Sequence, residues 1–160
     1  MDNRDIADVF AAIADLLAVQ NESAFKIRAY RTAAETISTY PDELRDIVAR
    51  GGDLRDISGI GEAIAKKTNE LLSTGRLEFF ERLKSSSPPG VLDLMEVPGI
   101  GPRTAAKLAG ELGIASVEQL EAALQRGPLP GLGEARSRTL LKAVSEFRQR
   151  TSPQHGMAPG

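Results

Sequence analysis

Cysteine is missing from the 160-residue chain, and the single histidine, His155, stands in a terminal run rich in proline and glycine. The first absence excludes disulfide frameworks and thiolate metal sites, and the second excludes an imidazole-based zinc centre. Aromatic residues make up only 4%, poor material for strands, so a chain rich in alanine and leucine favours helices. No apolar run reaches the length of a membrane span, and the acidic N-terminus is unlike the basic head of a secretory signal. A cytoplasmic protein is expected. Excess positive charge is lacking too. With a formal net charge of −2, any grip on nucleic acid must come from local geometry and not from bulk attraction.

What is present is helical periodicity. Ile6, Val9, Phe10, Ile13, Leu16 and Leu17 form one amphipathic stripe. Phe25, Ala29, Ala33 and Ile37 predict the inner face of a second helix over Ser23–Thr39. Pro41 is expected to start a third, with Leu44, Ile47 and Val48 inward, and Gly51-Gly52 to end it. Asp42, Glu43, Asp46, Asp53 and Asp56 read as helix-capping and solubilising carboxylates, because no ligand spacing joins them. No segment alternates apolar and polar residues as a half-buried strand would. The expected fold class is all-α, without a sheet. The run Ser85-Ser86-Ser87-Pro88-Pro89-Gly90 is the expected boundary between two small subdomains, and 151–160 reads as a disordered tail.

One pattern occurs three times: Ile57-Ser58-Gly59-Ile60-Gly61, Val97-Pro98-Gly99-Ile100-Gly101 and Leu129-Pro130-Gly131-Leu132-Gly133. Each lies between two helical runs. The copies stand 40 and 32 residues apart, too irregular for a solenoid. A tight turn between packed helices needs residues that accept positive φ, and the aliphatic residue between the glycines can plug the angle. The following helix then offers unpaired N–H groups at its positive end with no side chain in the way, a ready place for a phosphate oxygen. Basic residues follow each copy: Lys66 and Lys67, Arg103 and Lys107, Arg136 and Arg138. The expected DNA phosphate contacts are Gly59, Gly61, Lys66, Gly99, Gly101, Arg103, Lys107, Gly131, Gly133 and Arg136. Such contacts fix position on a duplex and read no sequence. Pro128 and Pro130 restrict the approach to the third turn.

These motifs are similar to helix-hairpin-helix turns, and their order resembles the N-terminal region of family X DNA polymerases. The string Phe25-Lys26-Ile27-Arg28-Ala29-Tyr30-Arg31 ahead of the first turn carries more of that resemblance than the turn itself. The resemblance implies two helical subdomains built around helix-hairpin-helix motifs. Residues 1–86 would be a lyase-like domain holding the 5′-phosphate of a DNA gap, and 87–150 would be the DNA-binding subdomain on the primer side. Lys26, Arg28, Tyr30, Arg31 and Lys67 would form the 5′-phosphate pocket. Phe25 takes the place of a histidine near the template base, and Ala63, beside Glu62, takes the place of a phosphate-binding lysine. The backbone carbonyls of Arg55, Ile57 and Ile60, and of Met95, Val97 and Ile100, would hold Na+ or K+ when DNA is bound. No other cofactor is expected.

Neither a polymerase palm nor a nuclease centre is expected within these residues. The chain reads as a fragment whose parent would be a DNA nucleotidyltransferase, with a palm domain acting in cis. The partner expected is gapped, nicked or 5′-phosphorylated DNA, in the cytoplasm at the nucleoid, and no membrane. Lys67 falls where the family keeps its Schiff-base nucleophile, so a deoxyribose-phosphate lyase is one alternative reading. A helical protein-interaction module is another, favoured by the acidic balance and opposed by three phosphate-ready turns.

Overall fold

Local capping rules account for the first helix starts. In the computed structural model, which describes residues 1–151, α1 spans Asn3–Val19 behind a reciprocal cap. The Asp2 carboxylate accepts from the Asp5 N–H and the Asp5 carboxylate from the Asp2 N–H. Helix α2, Ala24–Thr39, is capped by Ser23. Helix α3, Leu44–Ala49, starts later than expected, and Pro41 lies in a bend outside it. The buried side chain of Asn3 sets that start. Its Oδ1 accepts from the Leu44 N–H and its Nδ2 donates to the Asp42 carbonyl. Glu43 accepts from the Asn3 N–H rather than capping its own helix. Leu44 and Ile47 point inward as expected, while Val48 is only half-buried.

The inner face of α2 also differs from the expected one. Ala33 and Ile37 are buried as expected, but Phe25 is 78% exposed and Ala29 is exposed, with Tyr30 and Ala34 buried in their place. Both sets follow helical spacing, so periodicity alone does not choose between them. Tertiary packing does. Tyr30 enters between Phe10 of α1 and Phe79, at ring-centroid distances of 6.0 Å from each, and burying a large ring there turns Phe25 outward.

A single 3-10 turn, Leu54–Asp56, capped by Asp53, leads into the first glycine turn. Helix α4, Glu62–Thr74, follows and ends on left-handed Gly75. Helix α5, Glu78–Ser85, packs back on α1. The Gln20 amide donates to both Ser86 and Ser87 hydroxyls and closes this compact unit, Met1–Ser87.

The second compact unit begins at Pro88. It contains α6 (Val91–Met95), α7 (Pro102–Ala106) running into a π-turn over Lys107–Glu111, α8 (Val117–Arg126) and α9 (Gly133–Thr151). Its core joins Leu94, Val97, Ile100, Leu108, Leu120 and Val144. Gly90 is required here: φ is +81°, and a Cβ would meet the Ala115 carbonyl oxygen. Helices α8 and α9 pack together, with Glu121 accepting from Ser145 and Arg148. No strand occurs among the described residues, in agreement with an all-α fold. Of the expected disordered tail, Thr151 closes α9 and 152–160 lie outside the described residues.

Candidate nucleic-acid interface

The first two glycine turns share one geometry. The Ile60 N–H donates to the Ile57 carbonyl and the Ile100 N–H to the Val97 carbonyl, each at 3.1 Å. Gly59 and Gly99 carry φ of +96° and +93°, the left-handed region that a side chain resists. Ile60 and Ile100, each 4% exposed, plug the angle between the helices. Gly61 and Gly101 then enter α4 and α7 in ordinary extended conformations, at φ of −85° and −93°. Neither helix start receives a side-chain cap. An added Cβ at either of these glycines would meet nothing within 4 Å. Neither backbone conformation nor packing therefore requires glycine at 61 or 101. What its absence of a side chain provides is access to the unpaired N–H groups beyond it.

The third turn keeps the bond, Leu132 N–H to Leu129 carbonyl at 3.2 Å, but departs in two respects. Gly133 is itself left-handed at φ +80°, unlike Gly61 and Gly101. Leu132 is only half-buried, so the expected aliphatic plug is incomplete here. This turn faces α7. The Arg136 guanidinium donates to the Thr104 hydroxyl, and Lys107 Nζ lies where a Cβ on Gly131 would sit, 2.5 Å from it. Arg103, Lys107 and Arg136 thus line one open groove of about 570 Å³, with Glu111 paired to Lys107 at 3.1 Å.

In the first unit two of the expected cations are held in surface ion pairs. Lys26 pairs with Glu22 at 3.7 Å and Arg31 with Asp15 at 3.1 Å, both exposed pairs of the kind that contribute little and exchange readily. Arg28 and the exposed Phe25 border a groove of about 400 Å³ beside Gly59 and Gly61, which Glu62 also lines. Lys66 is exposed. Lys67 is half-buried, its ammonium 4.9 Å from the centre of the Phe79 ring. Burial holds the Lys67 amine below the ordinary lysine value; Glu70 opposes that effect and Lys66 adds to it. Tyr30, which stacks on Phe79, is pushed up by burial. Its hydroxyl bonds to no protein group among the described residues, and no buried side-chain polar atom there lacks a partner, so that oxygen reaches the surface.

Two family patterns match this chain. One, described as "Helix-hairpin-helix domain", covers residues 1–77; the other, "SAM-like Helix-hairpin-helix tandem", covers 91–146. Both units carry helix-hairpin-helix domains. The chain is similar to the DNA polymerase/3′-5′ exonuclease PolX of Bacillus subtilis, with 28% identity over 91% of the chain and 25% of that protein. It is also similar to DNA polymerase lambda of Arabidopsis thaliana, with 28% identity over 74% of the chain and 22% of that protein. The resemblance to family X polymerases read from the motifs stands. The chain spans about a quarter of the length of these relatives.

The helix-hairpin-helix turns also offer oxygen ligands. Outside the helices, no N–H among the described residues donates to the carbonyls of Arg55, Ile60, Met95 or Ile100, while those of Ile57 and Val97 each accept one turn bond. Among the described residues no cluster of His, Cys, Asp or Glu could hold a metal ion, and no helix is long and apolar enough to cross a membrane. Sequence reasoning missed Phe79. It carries no motif, and only the adjacency Phe79-Phe80 in an aromatic-poor chain signals it.

Proposed function

We propose that this chain grips the sugar-phosphate backbone of gapped, nicked or 5′-phosphorylated DNA without reading sequence, as the DNA-holding portion of a family X repair polymerase whose palm acts in cis. The observation that carries this reading is glycine at 61 and 101, where the fold does not need it and a phosphate does. The named relatives are DNA polymerases, which supports DNA as the ligand. In this reading Gly59, Gly61 and Lys66 form one phosphate contact, and Gly99, Gly101 and Arg103 a second. Lys107, Gly131, Gly133 and Arg136 add charge along the unit-two groove. Na+ or K+ held by the carbonyls of Arg55, Ile57 and Ile60, or of Met95, Val97 and Ile100, would supply positive charge to a bound phosphate. In this reading the protein works at chromosomal DNA.

Fluorescence anisotropy on gapped duplex DNA, with and without a 5′-phosphate and across a salt series, tests this. Roughly three to six phosphate contacts predict a slope of log affinity against log salt of about −3 to −5. Tighter binding to the phosphorylated gap supports a pocket formed by Lys26, Arg28, Tyr30, Arg31 and Lys67. No binding at low salt overturns the reading and leaves a protein partner as the alternative.

The state of Lys67 favours a second activity, 5′-deoxyribose-phosphate lyase. A half-buried amine with a weakened hold on its proton supplies the neutral nucleophile more readily. Its lone pair would add to the sugar aldehyde carbon, and loss of water would leave a protonated imine. A proton then leaves the adjacent carbon to solvent, the 3′-phosphate departs with its bonding electrons, and water releases the sugar from Lys67. Borohydride trapping of abasic DNA on the wild-type protein, and none on Lys67→Ala, is the expected result. Equal trapping on both would exclude Lys67.

A further inference from the structure

We infer that Phe79 is a positioning residue for Lys67, its ring face fixing the amine at the edge of an aromatic stack; the inference rests on the lyase reading of Lys67.

The stack runs inward without a break. Lys67 Nζ lies 4.9 Å from the Phe79 centroid, Phe79 stacks on Tyr30 with 15° between ring planes, and Tyr30 packs on fully buried Phe10. Phe79 is therefore backed by the core, unlike a surface ring free to turn. Its helix is also tied to the helix that bears Lys67. The Glu78 N–H, at the start of α5, donates to the Glu70 carboxylate of α4 at 3.0 Å. Leu77 and Leu83, on either side, are buried. Lys67 itself forms no ion pair among the described residues, so the ring is what holds the end of its side chain.

The chemistry of the contact is suited to the task. An aromatic face attracts an ammonium through its quadrupole yet offers no hydrogen-bond donor that would tie up the lone pair once the proton is gone. A carboxylate in the same place would hold the amine charged. The ring removes water from one side of the amine, in keeping with burial as the leading influence on Lys67. Phe79 thus orients the amine in its charged form and leaves it free in its neutral form.

The test uses the full chain with Phe79→Leu, which keeps apolar cover without a π face, and Phe79→Tyr, which keeps the face. The 13C-methylated lysine amines are followed by NMR across pH, with the Lys67 signal assigned by its loss in Lys67→Arg. Wild type and Phe79→Tyr should show Lys67 shielded by the ring current and titrating apart from the other lysines. In Phe79→Leu the shielding should vanish, with trapping of abasic DNA falling about two- to fivefold, the size a partly exposed cation–ring contact supports. Trapping that survives Lys67→Ala, alongside a Phe79-dependent Lys67 signal, removes the lyase reading and keeps the positioning. An unchanged Lys67 signal and unchanged trapping in Phe79→Leu overturn the inference.

Discussion

Lys107 lies across the turn glycine Gly131, so the cation that follows the second hairpin covers the backbone of the third. With Arg136 bonded to Thr104, the two hairpins of the second unit share one basic groove rather than presenting separate sites. A phosphate in that groove would draw on Lys107 whichever hairpin it approaches. Lys107→Ala should therefore lower DNA affinity at every sequence tested and reduce the salt slope by about one. Lys142→Ala, on the exposed side of α9, should change neither by a comparable amount. Anisotropy titrations at three or more salt concentrations check this.

The plugs of the hairpins differ in burial, and their replacements should differ in cost. Ile60→Ala removes a side chain that is 4% exposed and should cost about 2–4 kcal/mol of unfolding free energy. Leu132→Ala removes a half-buried one and should cost about 1 kcal/mol or less. Urea titrations of both variants decide it; equal losses would contradict the description of the third hairpin.

Asp53 caps the turn ahead of the first hairpin, and the Arg55 side chain folds back on it at 2.8 Å. Hydrogen bonds from Arg55, side chain first and backbone second, hold the Asp53 carboxyl at about 2, against an ordinary 3.8. The folded value is depressed, so the contribution to stability is present above the unfolded value and is lost as pH falls toward 2. Solvent around this exposed pair keeps that contribution small. Arg55→Ala should raise the Asp53 value toward the ordinary one, read from its carboxyl 13C shift. An Asp53 that still titrates near 2 would show that the backbone N–H alone sets it.

The glycine repeats were legible because a helix-hairpin-helix turn is a local device, written in residues that accept its φ and fill its angle. The inward face of α2 was not. Ala33 and Ile37 fit the expected face and the observed one, and the choice between Phe25/Ala29 and Tyr30/Ala34 depends on Phe10 and Phe79, which lie on other helices. Pro41 misled for a similar reason, since the start of α3 is set by Asn3 at the far end of α1. The convergence of Lys107 and Arg136 on one groove, and of Lys67 on Phe79, are tertiary facts with no local signature.

If Gly61 and Gly101 serve a phosphate and not the fold, the double variant Gly61→Ala/Gly101→Ala should lose DNA binding and keep its fold. Both positions have extended backbone and open space, and as N-cap residues they favour glycine over alanine only modestly, so alanine should cost no more than about 1 kcal/mol per site. Gly59→Ala is the contrast: φ of +96° and the Thr36 hydroxyl 2.6 Å from the new Cβ should destabilise the first unit by about 1–2 kcal/mol or more. Thermal melts and DNA anisotropy are measured on the same preparations. The double variant should melt cooperatively, only slightly below wild type, and bind gapped DNA at least tenfold more weakly. A folded double variant that binds DNA as well as wild type would contradict the role given to these glycines.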